Sequence, residues 1–167
     1  MTRLAQAHVA EAMRAVERMN TQQQVQLEDE IFAQQPNLLG SIVVLRRMGA
    51  SDTQIGIALH VLFVAWLAMK ASGYRWPVIS EDHQDLCLQR LTARLRFADG
   101  LSPDLLQQAV AQHISEHAEP QLLAFAYGHL RESGVLRARS QAEKYVLLAV
   151  LNLVECIAFS AALSAAR

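Results

Sequence analysis

The chain has 167 residues, of which 52% are hydrophobic and 19% charged, with a formal net charge of −1. That length and apolar content suit one domain that buries roughly 70% of the surface its unfolded form exposes, and the charge balance lacks the electrostatic footprint of a nucleic-acid binder. The two cysteines, Cys87 and Cys156, both fall in apolar helical patterns with no Cys-x-x-Cys pair, which fits core positions in a reducing cytoplasm.

Helical periodicity runs through the sequence, and alternating strand patterns are absent. Arg3 to Met19 reads as a helix with Val9, Met13 and Val16 along one side. It is Ala-rich and mixes in His8, Glu11, Arg14 and Glu17, so it contains no apolar signal-peptide core. Thr21 with Gln24 forms a capping-box pattern opening a helix to about Gln34, with an apolar stripe edged by Val25 and Phe32 on one side and Leu27 and Ile31 on the other. A short helix then opens with Pro36, Leu38 and Leu39 and closes with Leu45, Arg46 and Gly49; proline suits the first helical turn and glycine the residue just past a helix end.

Ser51 and Gln54 cap a helix to about Ala71 whose every side is apolar, so protein or lipid must surround it. Its apolar stretch from Ile55 to Met69 is shorter than the roughly 20 residues of a membrane span. Gly73 to Pro77 breaks the chain, and Trp76 is expected to fold back on the core.

Ser80 caps the next helix, expected over Glu81 to Ala98, with Leu88, Leu91 and Leu95 as its buried edge and Arg90, Arg94 and Arg96 as a solvated basic edge. Ser102, Pro103 and Asp104 open a helix to about His117. A second Pro-x-Leu-Leu helix runs from Pro120, Leu122 and Leu123 to Leu130, Arg131 and Gly134. Ser140 and Glu143 then cap a last helix, apolar all round and expected to run nearly to Arg167. As a membrane anchor this last helix would carry Asn152 and Glu155 at a cost of about 2.5 to 3.5 kcal/mol for a central acidic residue, which argues against insertion.

The order therefore repeats. It implies an all-α, single-domain helical bundle of about eight helices, with two similar four-helix halves (1–72 and 80–167) and the two apolar helices paired at the centre. The proline-to-glycine spacing differs by one residue between copies, and one residue rotates a helix by about 100°.

Two polar groupings carry the candidate chemistry. Asn152 and Glu155 lie three apart inside an apolar helix, and His60 takes the Asn152 position when the two apolar helices are superimposed on Leu-His-Val and Leu-Asn-Leu. A buried carboxylate needs a proton, a cation or a polar partner, so Glu155 either fixes helix register with an Arg or His or joins His60 and Asn152 around a ligand pocket. Separately, His113, Glu116 and His117 match the His-x-x-Glu-His string of the inverted zinc peptidases over five residues; histidines four apart on a helix hold a metal while the glutamate acts as base. No third ligand follows on a matching segment, and the chain lacks the strands of that mixed α/β domain. Phosphate loops, dinucleotide fingerprints and nucleophile elbows are also missing.

The expected function is a non-enzymatic cytoplasmic interaction or assembly protein, without cofactor, that associates with itself as a homodimer or with another protein. One alternative is a small-ligand module using His60, Asn152 and Glu155. The other is a metal-dependent hydrolase using His113, Glu116 and His117.

Overall fold

The computed structural model describes residues 2–96 and 100–164. Eight α-helices follow in order: α1 (Gln6–Glu17), α2 (Thr21–Gln34), α3 (Pro36–Val43), α4 (Asp52–Ala71), α5 (Glu81–Arg96), α6 (Pro103–Glu116), α7 (Pro120–Glu132) and α8 (Gln141–Ser164). No strand occurs among the described residues. The helix ends expected at Ala98 and Arg167 lie outside them.

The apolar helices α4 and α8 pack on each other. Around them the packing is parallel in the two halves: α1 lies along α4 as α5 lies along α8, and α3 and α7 pack under α4 and α8 respectively. By length and composition α4 is long and apolar enough to cross a membrane, with 20 residues and a mean hydropathy of 1.6. Here 56% of its apolar window is buried: Ala58, Val61, Val64, Ala65 and Ala68 are fully covered, as are Val146, Val150, Leu151, Val154 and Ile157 of α8, while Ile57, Leu59 and Leu67 are partly covered. Each large aliphatic side chain so removed from water contributes about 1.5 to 3 kcal/mol. Cys87 and Cys156 are buried free thiols, and Nε2 of His83 lies 3.6 Å from Sγ of Cys87 and 3.2 Å from the carbonyl oxygen of Cys156.

Caps sit where hydroxyls precede apolar runs, with one correction. Ser51 accepts from the Gln54 amide, Ser102 from Leu105 and Ser140 from Glu143. The box opening α2, however, is Asn20 with Gln23 and not Thr21 with Gln24, because asparagine caps better than threonine and one residue earlier leaves Thr21 in the first turn. Burial also corrects three expectations. Leu27 and Ile31 are buried but Val25 and Phe32 are exposed, and Leu88 is exposed on α5.

The two Pro-x-Leu-Leu helices end alike. Gly49 and Gly134 both take positive φ, 95° and 74°, and the following amides of Ala50 and Val135 each donate 3.0 Å back to the carbonyls of Leu45 and Leu130. The missing residue of the first copy is absorbed by a 3₁₀ turn, Val44–Arg46, where the second copy stays α-helical through Glu132. Three 3₁₀ residues advance about 6 Å, as four α-helical residues do, so the tighter turn restores the span.

The residue before each of these prolines is a buried polar side chain that grips an extended segment distant in the chain, the connection between the halves in one case and the leading segment of the first half in the other. Gln35, 2% exposed, donates from Nε2 to the carbonyl of Pro77 and accepts at Oε1 from the amide of Ile79. Glu119, 1% exposed, accepts from the amides of Arg3 and Leu4 at 2.9 and 3.0 Å. Arg3 then donates to the carbonyls of Ile157 and Ala158 on α8 and stacks its guanidinium 4.2 Å above Trp76. Trp76 does fold back, donating from its indole to the carbonyl of Met69.

Candidate functional site

The pre-proline clamp of the second half also sets the most chemically loaded place in the molecule. His113 sits in the last turn of α6 and His117 is its C-cap, one helical turn on. The chain then turns through Glu119 into α7. Their rings point at α8, where Oε1 of Glu155 lies 3.1 Å from Nε2 of His113 and 3.1 Å from Nε2 of His117. All three side chains are nearly closed to water, at 6%, 3% and 11% exposure.

The second ring nitrogens are held too. Nδ1 of His113 lies 2.8 Å from the Tyr127 hydroxyl, on α7. Nδ1 of His117 accepts from the backbone amide of Glu119 at 3.1 Å. A backbone N–H can only donate, so Nδ1 of His117 carries no proton and its Nε2 carries one, which is donated to Glu155. Phe159, one turn beyond Glu155, meets the His117 ring edge-on.

Burial pushes the Glu155 carboxyl up, but the hydrogen bonds from His113 and His117 outweigh it and hold the group at about 2, well below its ordinary 4.5. Glu155 is therefore an anion at neutral pH. Burial, reinforced by that anion, pushes the Tyr127 phenol up to about 12, so its hydroxyl keeps its proton and either donates to His113 or accepts from it.

Three potential ligand atoms, one from each of His113, His117 and Glu155, lie within 4.8 Å of one another. Ligands held by one tetrahedral zinc at about 2.0 to 2.1 Å stand about 3.3 Å apart. The two 3.1 Å separations about Oε1 are close to that edge, and the two imidazole nitrogens lie within 4.8 Å of each other.

This centre draws one residue set from each sequence grouping and leaves the others elsewhere. Glu116 is exposed and accepts from the side chain of Gln112 at 2.8 Å, so it does not join the two histidines. His60 stacks on His129, with ring centroids 4.4 Å apart, and burial lowers its pKa. Asn152 donates to the carbonyl of Gln84 on α5. His60, Asn152 and Glu155 thus have three separate sets of neighbours. Tyr127 was absent from the sequence reading, although its place on the buried face of α7 could have raised it. Glu155 as the third partner of the histidines had no signal in the sequence, where His129 is the nearer imidazole.

A cavity of about 230 Å³ lies on the flank of this centre, lined by His113 and Tyr127 together with Arg94, Leu106, Val110 and Leu147. No known protein family, curated protein or solved structure matches the chain.

Proposed function

We propose that this chain is a divalent-metal-binding helical module, with His113, His117 and Glu155 as its protein ligands and a zinc-like ion as its metal. The reading rests on one observation: both Nε2 atoms meet the same carboxylate oxygen at 3.1 Å inside a nearly closed site. Two imidazoles and a carboxylate suit zinc and its neighbours in the transition series. The ion supplies positive charge beside the Glu155 anion. Tyr127 serves the arrangement by accepting from Nδ1 of His113, which frees Nε2 for the metal. Because Glu116 is not beside the histidines, the hydrolase built on it lacks its base, and the metal serves binding or stability in place of hydrolysis.

His117 makes the reading specific. To ligate through Nε2 it must move its proton to Nδ1, and that atom now accepts from the Glu119 amide. Metal binding therefore breaks this bond at the start of α7. The test is a titration of chelator-treated protein with Co²⁺ and Zn²⁺. Expected are the visible absorption of tetrahedral Co²⁺, its loss in His113→Ala and Glu155→Ala, and faster hydrogen exchange at the Glu119 amide in the metal form. Stabilisation should reach about 2.7 kcal/mol at a hundredfold excess over Kd. No binding, or equal binding by Glu155→Ala, sinks the proposal.

Self-association is a second reading, favoured by Val25 and Phe32, seven residues apart on α2 and 51% and 65% exposed. Light scattering of wild type and Phe32→Lys tests it: a concentration-dependent dimer lost in the variant supports it, and a monomer throughout dismisses it.

A further inference from the structure

The cavity beside His113 and Tyr127 adjoins a second, larger space of about 590 Å³ between α6 and the connection from α7 to α8. Leu106, Val110 and Leu136 line both, so the two meet along that apolar wall. They differ in character. The inner chamber, about 230 Å³, is walled chiefly by aliphatic side chains such as Leu95, Leu147 and Leu151. His113 and Tyr127 hold each other there at 2.8 Å and need nothing from an occupant. The outer space is bordered by Arg131, Arg137 and Arg139, and Arg94 lines the inner one. Among the described residues, four arginines and no Asp or Glu line the pair.

These arginines are gathered without partners. Among the described residues, the guanidinium groups that bond to protein are those of Arg3 and Arg46, and the four beside the two spaces are left with their donors free. The connection itself brings them together. Arg137 and Arg139 flank Ala138, whose φ of 46° lies in the left-handed region that a side chain disfavours. Nη2 of Arg139 stands 3.8 Å from where a Cβ would sit on Gly134, just past the helix that carries Arg131. Like charges held together repel, and a bound anion relieves them.

We propose that the two spaces form one site for a single-chain alkyl phosphate. Arg131, Arg137 and Arg139 hold the dianionic head, and the chain lies along Leu106, Val110 and Leu136 into the chamber. Guanidinium forks match phosphate oxygens two hydrogen bonds at a time, and a cationic rim without a carboxylate rejects a cation of the same shape. Glu155 and His117 line neither space, so the site is separate from the metal centre.

The experiment uses the full chain in chelator, which makes it independent of that centre. Octyl phosphate, butyl phosphate and octyltrimethylammonium serve as probes below their micelle concentrations, read by calorimetry and saturation-transfer NMR. Octyl phosphate should bind about tenfold or more tighter than butyl phosphate, because its four further methylenes enter the chamber, and tighter by a similar factor than octyltrimethylammonium. Arg137→Gln with Arg139→Gln, two exposed changes in a connecting segment, should weaken octyl phosphate about tenfold with Tm unchanged. Ala109→Phe, which puts a ring into the chamber lining, should erase the difference between octyl and butyl phosphate. Absence of binding, equal binding of the octyl anion and cation, butyl phosphate as tight as octyl phosphate, or octyl phosphate binding unmoved by the arginine changes overturns the proposal, whatever Ala109→Phe does to folding.

Discussion

Gln35 and Glu119 stand at the same point of two similar helical hairpins, both buried, both gripping an extended segment, yet they do it with different chemistry. The amide offers one donor and one acceptor, and its segment presents one carbonyl and one amide to match, at Pro77 and Ile79. The carboxylate only accepts, so its segment must present two amides, from Arg3 and Leu4, and a guanidinium comes with them. In the half with the neutral clamp the positions of His113, His117, Tyr127 and Glu155 hold an exposed Asp29, Ala33, Val43 and Phe63, so no imidazole meets a carboxylate there. The charged clamp goes with the half that holds the histidines, and its own backbone amide orients His117. The same scaffold thus supports an apolar junction and one that gathers two imidazoles on a carboxylate, and the difference is carried by a handful of side chains.

Exchanging the clamps tests this most severely. Gln35→Glu sets a buried carboxylate against the Pro77 carbonyl and should cost about 3 to 5 kcal/mol in urea unfolding, whereas Glu119→Gln, which removes one acceptor, should cost about 1 to 3 kcal/mol. Comparable small losses from both would mean that the clamps are interchangeable. Next is acid. The folded-state carboxyl of Glu155 titrates below its unfolded value, so its contribution is whole above pH 4.5 and disappears as pH falls towards 2. On the order of 3 kcal/mol should be lost across that window in metal-free protein, and Glu155→Gln should flatten the profile; an unchanged slope in the variant would assign the acid sensitivity elsewhere.

Tyr127→Phe removes the partner of Nδ1 of His113 and should weaken metal affinity by about 10 to 100-fold with the fold intact. Val43→Ala, the corresponding change in the first half, should not alter it. The smallest effects belong to the hairpin ends. Gly49→Ala and Gly134→Ala each force a side chain into a positive-φ position and should cost about 1 to 2 kcal/mol each. Equal losses would support equivalent hairpins, and a twofold inequality would separate them.

The all-α class, the eight helices and the pairing of α4 with α8 were legible because helical period, caps and all-round apolarity are local signals. Asn20 was missed as a cap since Thr21 with Gln24 satisfies the same pattern one residue on. Exposure of Leu88, Val25 and Phe32 was not legible, as a stripe of apolar residues does not say whether a neighbour covers all of it. At the centre, His113 and His117 were visible from their four-residue spacing and Glu155 from its isolation in an apolar helix. Their union was not, because it depends on the crossing of α6 and α8, 38 to 42 residues apart in the chain. The chain itself offered Glu116 as the nearer carboxylate, and helix geometry turned it to solvent.

Because the second half closes over the leading segment of the first, synthesis order matters to this molecule. Arg3 and Leu4 leave the ribosome long before Glu119, 115 to 116 positions later, gives them a seat. Until then Leu4, fully covered in the finished structure, waits in water beside a half-built α4, exposed to chaperones and to wrong partners. Cutting the chain between the halves would leave the second fragment with an empty Glu119 clamp and the first with a loose leading segment, so two nicked molecules should trade halves more readily than either fragment folds alone.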